Sequence, residues 1–277
     1  MSKVWFVTGS SRGLGLAIVE AILNSGGSVI ATARNAKQLQ HLVDKHGTEK
    51  VLPLSLDVTQ YNHALEAVRL GVEKFHRIDV VVNNAGYADV ASIEDITIES
   101  FRAQFETNYM GVVYVTKAIL PVLRAQGNGH IIQVSSVGGR MASAGLGAYQ
   151  SAKWAVGGFS SVLAKEVGPL GIRVTVLEPG GMRTDWSGTS MEVAPVSEAY
   201  RQTVGAVSEY VRSKADSWPT DPVKVADVIL QVAEIDEPPL RLLIGAETLQ
   251  YAAQVTETLA AEDKKWSYLT IAASGDK

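Results

Sequence analysis

Cysteine is absent from the 277 residues of this chain. Without thiols the protein cannot form disulfide bonds, thiolate zinc sites or iron–sulfur clusters, and it cannot use a cysteine nucleophile. Histidine is scarce as well, because the chain has five histidines and no two of them stand at metal-ligand spacing on one helix face. We therefore predict that the protein binds no metal ion.

Charge of one sign is not concentrated anywhere in the sequence. The 25 lysines and arginines against 29 aspartates and glutamates give a formal net charge of −4, and neither sign forms a run of five or six. A protein that binds nucleic acid through its phosphates carries a basic patch, so we predict no nucleic-acid partner.

Long hydrophobic runs are also missing. The most apolar longer segment, 111–123, contains Lys117 and Pro121 and is too short to span a bilayer, so we predict no membrane partner. The N-terminus enters a strand pattern at once, without the basic segment and apolar run of a signal peptide. This start predicts a cytoplasmic protein.

What the sequence does contain, as far as about residue 180, is an alternation of short β-branched runs with amphipathic segments of helical length. The predicted strands are 3–8, 28–32, 51–55, 79–83, 130–135 and 173–178. The predicted helices are 13–25, 36–46, 62–75, 99–123 and 149–167. Right-handed crossovers turn such a series into a doubly wound, Rossmann-type parallel sheet, whose ligand crevice lies at the carboxyl ends of the strands.

The pattern changes after residue 184. The segment 186–222 has no evident strand and carries large side chains among polar ones, namely Trp186, Met191, Tyr200, Tyr210 and Trp218. Their composition fits a pocket wall and a segment packed on its own core equally well. We predict a substrate lid over 186–222. A helix over 223–234, a seventh strand over 240–244 and a helix from 246 to about 263 make 223–277 an extension of the same domain, so 1–277 is predicted to be one domain.

A glycine-rich turn, Thr-Gly-Ser-Ser-Arg-Gly-Leu-Gly over residues 8–15, lies between the first predicted strand and helix. Glycines permit a tight turn and close approach of a phosphate, and the helix N-terminus offers unpaired N–H groups. The spacing G-x-x-x-G-x-G differs from the common dinucleotide fingerprint G-x-G-x-x-G, and a turn that merely joins strand to helix is the alternative. The predicted cofactor contacts here are Gly9, Ser11, Arg12, Gly13, Leu14 and Gly15.

The end of the second predicted strand indicates which dinucleotide binds. An acid at this place would accept hydrogen bonds from the adenosine ribose of NAD, but the sequence has Ala33 followed by Arg34. Together with Arg12, Arg34 offers two guanidinium groups to a 2′-phosphate, which favours NADP(H) as the cofactor. The alternative is two solvated surface arginines.

A third group of residues predicts proton-transfer chemistry. Tyr149 and Lys153 are four residues apart on one helix face, where a lysine cation lowers the pKa of a phenol toward neutrality. Ser136 ends a predicted strand, so its hydroxyl is placed to hold a carbonyl oxygen. A Tyr-x-x-x-Lys pair on its own occurs on any solvated helix face, and the glycine turn upstream favours the catalytic interpretation.

Together these residues resemble the short-chain dehydrogenase/reductase superfamily, classical type, over about residues 3–185. Thr8 belongs to the glycine motif of that family, and the interval of thirteen from Ser136 to Tyr149 favours Ser136 over Ser135 as the catalytic serine. The resemblance implies a catalytic set of Asn108, Ser136, Tyr149 and Lys153. It also implies further cofactor contacts at Asp57 and Val58, at Asn84, Ala85 and Gly86, at Tyr149 and Lys153, and at Pro179, Gly180, Met182 and Thr184.

The resemblance also implies roles for Lys153 and Asn108, and it implies structural elements in the C-terminal third of the chain. Lys153 would bind the nicotinamide ribose, and Asn108 would hold a water that links the lysine to solvent. The segment 238–245 resembles the branch similar to 17β-hydroxysteroid dehydrogenases, which implies the seventh strand and a helical lid but no steroid substrate.

The function so implied is that of an NADP(H)-dependent carbonyl reductase, or an alcohol dehydrogenase in the reverse direction, acting on a small-molecule carbonyl or alcohol. The family assembles as homodimers or homotetramers, here through the segments 99–123 and 149–167. Two alternatives stay open. One is an NADP-binding sensor without turnover, and the other is an isomerase, dehydratase or enoyl reductase on the same scaffold.

Overall fold

The computed structural model describes residues 2–184, 191–215 and 217–274. Within these residues seven parallel strands form one sheet in the order β3-β2-β1-β4-β5-β6-β7. The strands are β1 Val4–Val7, β2 Ser28–Ala33, β3 Val51–Ser55, β4 Val80–Asn83, β5 Gly129–Val134, β6 Ile172–Pro179 and β7 Arg241–Ile244. The predicted doubly wound α/β sheet is confirmed.

Helices cover both faces of the sheet. They are α1 Gly13–Asn24, α2 Gln40–His46, α3 Tyr61–Phe75, α4 Ile98–Phe105, α5 Gly111–Gln126, α6 Gly147–Val167, α7 Ala206–Ser213, α8 Pro222–Glu234, α9 Ala246–Lys265 and α10 Ser267–Ala272. Because successive strand residues point to opposite faces, Trp5 and Val7 pack toward α1 and α8, whereas Val4 and Phe6 pack toward α3 and α5. Burial on both faces explains why β1 and most of β4 are continuous apolar runs.

The predicted helix 99–123 is divided in the structure. The segment Ile98–Phe105 is α-helical, Glu106–Met110 forms a π-helical turn, and α5 continues from Gly111. A π-helical turn inside a helix widens the spiral by one residue, and such turns are frequent at functional sites. This turn contains Asn108, one of the predicted catalytic residues.

The predicted lid is described in part, since residues 185–190, and with them Trp186, lie outside the described residues. Between residues 191 and 222 the described residues form helical turns and α7 but no strand. Met191, Val204 and Val211 are buried in a third apolar cluster that also contains Tyr149. Beyond 246, α9 runs to Lys265, and α10 follows it without having been predicted. No helix among the described residues is long and apolar enough to cross a membrane.

A buried histidine lies in the sheet, away from the carboxyl edge. The Nε2 atom of His130 lies 3.0 Å from Oγ1 of Thr175, whose hydroxyl donates to the carbonyl oxygen of Pro239 at 3.0 Å. Thr175 therefore accepts from the ring, which fixes the neutral tautomer with its proton on Nε2. Burial, and then the positive charges of Arg173 and Lys3, lower the pKa of His130 to about 3.

This histidine should make the protein sensitive to mild acid. Below about pH 6.5 His130 becomes protonated in the unfolded chain but stays neutral in the folded chain. The free energy of unfolding therefore falls as the pH drops. We expect the loss at pH 4.5 to be on the order of 2–3 kcal/mol. Urea unfolding from pH 7 to pH 4.5 measures it.

His130→Gln should remove this part of the pH dependence, and His41→Gln, at an exposed ring, is the control that should retain it. An identical pH dependence in His130→Gln and in the unmodified protein would contradict the assignment.

Candidate active site

The turn between β1 and α1 requires its glycines for two different reasons. Gly9 and Gly13 have φ angles of +70° and +54°, in the left-handed region that side chains rarely enter. Gly15 instead allows close packing, because a Cβ atom at this position would overlap the carbonyl oxygen of Gly9. The backbone of the turn can therefore approach closely a group bound at the N-terminus of α1.

Thr8 and Asn84 join this turn to the loop after β4. The Oγ1 atom of Thr8 accepts hydrogen bonds from the backbone N–H groups of Asn84 at 2.9 Å and Ala85 at 3.0 Å. In return, Nδ2 of Asn84 donates to the carbonyl oxygens of Thr8 at 2.9 Å and Gly9 at 3.2 Å. The four bonds hold two of the predicted cofactor-binding segments together.

The N-terminus of α1 is suited to an anion. Arg12 occupies the N-cap position without a side-chain cap hydrogen bond, and the first turn contains no acidic residue. The first N–H groups of a helix carry partial positive charge and accept a phosphate when no side chain caps them. Ser11 and Leu14, predicted with the glycines to contact the cofactor, lie in the same turn.

The turns after β2 and β3 lie at the same edge of the sheet. Ala33 is buried, Arg34 is exposed, and the hydroxyl of Ser55 donates to the carbonyl oxygen of Arg34 at 2.9 Å. The Oδ1 atom of Asp57 accepts from the backbone N–H of Thr59 at 3.0 Å and from its hydroxyl at 2.8 Å.

Val58, the next predicted contact along the chain, is buried and lies against Gly111 of α5. It therefore also serves the packing between the turn after β3 and α5.

Ser136, Tyr149 and Lys153 meet where β5 ends and α6 begins. Ser136 shares a hydrogen bond with Tyr149, accepts from the N–H of Gly138 at 3.0 Å and donates to the carbonyl oxygen of Pro179 at 3.5 Å. The Nζ atom of Lys153 lies 5.6 Å from the centre of the Tyr149 ring. The structure thus brings the three predicted catalytic side chains together.

The pKa values of this group differ from the sequence-based expectation. Burial raises the pKa of Tyr149 to about 12, against a smaller lowering by the hydrogen bond with Ser136. Burial also lowers the pKa of Lys153 to about 8. The expected net lowering of the Tyr149 pKa toward neutrality is wrong for this structure, because burial is the largest effect and raises it. In this structure Nζ of Lys153 donates to the carbonyl oxygen of Val134 at 2.9 Å.

Asn108, in the π-helical turn, holds the backbone near the lysine. Its Nδ2 donates to the carbonyl oxygens of Tyr87 and Gln104, each at 2.8 Å, and its Oδ1 accepts from the N–H of Tyr87 at 3.2 Å. A Cβ atom on Gly86 would lie 2.6 Å from Oδ1 of Asn108 and 3.5 Å from Nζ of Lys153. The loop after β4 is therefore fitted closely between these two side chains.

The segment after β6 closes the other side of the edge. The N–H of Gly180 donates to the carbonyl oxygen of Ile244 at 2.9 Å, and Met182 forms a bridge with Thr220. A Cβ atom on Gly13 would lie 3.6 Å from Cβ of Thr184, so this segment contacts the glycine turn. The predicted residues of this segment thus lie between the glycine turn and the described part of 186–222.

One set of charged residues beside the site was not predicted from the sequence. Glu178 is 1% exposed and pairs with Arg140 and Arg241. A single acid near the end of a buried parallel strand is a signal that could have identified it, because a buried carboxylate requires partners.

The chemistry available at this edge is anion binding and proton transfer. The N-terminus of α1 offers backbone N–H groups to a phosphate. Across the crevice, Tyr149 is a buried phenol beside a hydroxyl and an ammonium group. Such an arrangement can donate a proton to an oxygen atom and stabilise the charge that remains.

Comparison with known proteins agrees with this geometry. A family model described as short chain dehydrogenase matches residues 3–195. Oxidoreductase BOA17 from Botryotinia fuckeliana is 59% identical over 274 residues, which cover 99% of this chain and 100% of that protein. A solved short-chain dehydrogenase from Streptomyces avermitilis has a TM-score of 0.92 and 34% identity, covering 99% of this chain and 98% of its own.

A solved alcohol dehydrogenase from the archaeon Thermococcus sibiricus, complexed with 5-hydroxy-NADP, has a TM-score of 0.71 and 26% identity. It covers 88% of this chain and 96% of its own. The resemblance found in the sequence is confirmed, and the chain belongs to the short-chain dehydrogenase family.

Proposed function

We propose that the protein is an NADP(H)-dependent oxidoreductase that reduces a ketone or aldehyde to an alcohol, or catalyses the reverse reaction. The observation that carries the proposal is the buried phenol of Tyr149, hydrogen-bonded to Ser136 with Nζ of Lys153 5.6 Å from its ring. Membership of the short-chain dehydrogenase family supports it, as do relatives named oxidoreductases.

The residues at the sheet edge fit a dinucleotide phosphate. The uncapped N-terminus of α1 and the glycine turn offer N–H groups to a pyrophosphate. Exposed Arg12 and Arg34 offer guanidinium groups to a 2′-phosphate, and Ala33 replaces the acid that would oppose it. The NADP analogue bound by the Thermococcus sibiricus enzyme supports the same choice. When bound, the nicotinamide supplies or accepts the hydride.

The protein's own part in the reduction is proton donation. A pKa of about 12 keeps the Tyr149 hydroxyl protonated at neutral pH, so the proton is in place for the carbonyl oxygen of the substrate. Ser136 positions that oxygen through its hydroxyl. Donation leaves a phenolate, which the nearby cation of Lys153 stabilises. Asn108 would hold a water for proton return to Lys153, and Lys153 would also bind the nicotinamide ribose.

Two further parts of the proposal concern the surroundings of the site. We propose that 186–222 acts as a lid, because its described residues Met191, Val204 and Val211 pack in one cluster with Tyr149. Closing such a segment excludes water from the reaction. We also propose that α5 and α6 join subunits in a homodimer or homotetramer, since Trp154 and Val162 of α6 are exposed.

Removing the phenolic hydroxyl tests the proton donor. Tyr149→Phe should lower the turnover of a ketone with NADPH by at least about 10²–10⁴-fold, because general acid catalysis is lost while the ring shape is kept. NADPH binding should be retained. Steady-state absorbance measurements on aliphatic, aryl and steroid ketones give the rate, and fluorescence titration gives the affinity.

Tyr268→Phe, at an exposed tyrosine of α10, is the matched control and should keep normal rates. Near-normal turnover in Tyr149→Phe would refute the catalytic assignment. An unmodified protein that binds NADPH but converts no substrate would support a sensor instead.

Cofactor choice should depend on Arg34. Arg34→Ala removes one guanidinium from the proposed 2′-phosphate site, so NADPH should bind more weakly by about 1.5–3 kcal/mol while NADH changes little. Dissociation constants for both cofactors measure this difference. Arg124→Ala, at an exposed arginine of α5, is the control. An equal loss for NADPH and NADH would count against the assignment.

Lys153 should lower stability at neutral pH. Burial lowers its pKa to about 8, below the value of the unfolded chain, so the folded state is penalised while the amine is charged and the penalty disappears as the pH rises from 8 to 10.5. Lys153→Met should therefore raise the free energy of unfolding at pH 7 by about 1–3 kcal/mol and abolish turnover.

Urea unfolding at pH 7 and pH 10 measures this gain, which should shrink at the higher pH. Lys165→Met, at an exposed residue of the same helix, is the control and should change little. The expected sign would be contradicted if the gain in free energy of unfolding from Lys153→Met were smaller at pH 7 than at pH 10.

A further inference from the structure

An ion triad built on a buried carboxylate lies beside α6, the helix that carries Tyr149 and Lys153. Glu178 belongs to β6, and its side chain is buried. Its Oε2 accepts a hydrogen bond from Nε of Arg140 at 2.5 Å, and its Oε1 accepts from Nη1 of Arg241 at 3.1 Å. Each carboxylate oxygen is thus held by an arginine from a different segment.

The first arginine belongs to the turn that carries the serine. Arg140 is four residues after Ser136 and ends the short helical turn that begins there. Glu178 is also followed directly by Pro179, whose carbonyl oxygen accepts from Oγ of Ser136 at 3.5 Å. The carboxylate therefore fixes both the turn that bears Ser136 and the backbone to which the Ser136 hydroxyl is bonded.

The second arginine contacts the helix that carries the other two catalytic side chains. The guanidinium of Arg241 lies against Gly157, where a Cβ atom would be 2.6 Å from Nη2. Gly157 is one helical turn after Lys153 on α6. Through its two partners, Glu178 is thus connected to the serine turn and to the helix of Tyr149 and Lys153.

Stability alone does not account for such a triad. Burying the carboxylate of Glu178 costs desolvation energy, because its two arginines remain half-buried, and a well-packed apolar side chain in its place is often as stable or more so. The location is informative, because the triad spans the three segments whose relative placement sets the distance between Ser136 and Tyr149.

We propose that Glu178 is a positioning residue of the reductase, which holds the Ser136 hydroxyl in place for the substrate carbonyl through Arg140 and Pro179. The inference rests on the proposed function for its kinetic consequences. That the Glu178 carboxylate holds the turn from Ser136 to Arg140 is a structural claim, and it does not depend on any substrate.

A double-mutant cycle tests the proposal. Glu178→Gln keeps the shape and removes the charge, and we expect kcat to fall on the order of 10–100-fold with the NADPH dissociation constant changed less than about 2-fold. In a Ser136→Ala background the same substitution should lower kcat by less than about 2-fold, because the group that it positions is gone. Additive losses in the double variant would overturn the inference.

Asp79→Asn is the matched control for general loss of stability. Asp79 is a buried carboxylate paired with Arg77 and bonded to the N–H of Val4 at 2.8 Å, just before β4 and at the opposite end of the sheet. Its substitution should reduce thermal stability in the same way but leave kcat within about 2-fold. An equal kcat loss in Asp79→Asn would show that Glu178 acts only through stability.

Hydrogen exchange gives a readout without substrate. Amides of 136–141 should exchange at least about 10-fold faster in Glu178→Gln than in the unmodified protein, and should not change in Asp79→Asn. Unchanged exchange of this turn would overturn the inference whatever the kinetics. An unmodified protein that reduces no carbonyl would refute the proposed function alone, since the exchange measurement still decides whether Glu178 holds the turn.

Discussion

The parallel arrangement of the sheet is the constraint on which the site depends. All strands of a parallel sheet end at the same edge, and β1, β4, β5 and β6 are neighbours in the order of this sheet. Their side chains are buried on both faces of the sheet, so the polar side chains of the site lie beyond the ends of the strands. The residues that follow these strands consequently lie side by side along the edge, namely Thr8, Asn84, Ser136 and Pro179. Each forms a hydrogen bond with a segment that belongs to a neighbouring strand or helix. The strand order is therefore what brings the residues of the site together.

Desolvation decides the electrostatics of the catalytic group. Charge alone predicts that a lysine near a tyrosine favours the phenolate. In the structure both side chains are buried, which raises the pKa of Tyr149 and lowers that of Lys153, so both shifts oppose the ion pair. The ammonium group also directs its hydrogen bond to Val134 rather than to the phenol. For a reductase this balance is favourable, because the proton stays on Tyr149 until a substrate oxygen receives it.

Much of the fold could be predicted from the sequence because the signals were local. Continuous β-branched runs marked the strands, and glycines marked the turn after β1. The π-helical turn at Glu106–Met110 could not be predicted, because Asn108 interrupts no helical pattern and two of its three side-chain hydrogen bonds go to Tyr87, 21 residues away. The partners of Glu178 lie 38 and 63 residues away in the chain. The acid itself was visible as an anomaly in β6, but only tertiary structure shows which arginines hold it.

The buried charges of the protein are compensated in two different ways. Asp79 and Glu178 are each paired with arginine, so their charges are balanced in the resting structure. Lys153 forms no salt bridge with any of the described residues, and a carbonyl oxygen is its hydrogen-bond acceptor. In the proposed reaction the opposite charge is created when Tyr149 gives up its proton. The cation is therefore stabilised more after proton donation than before it, and an interaction that strengthens along the reaction lowers the barrier rather than merely holding the ground state.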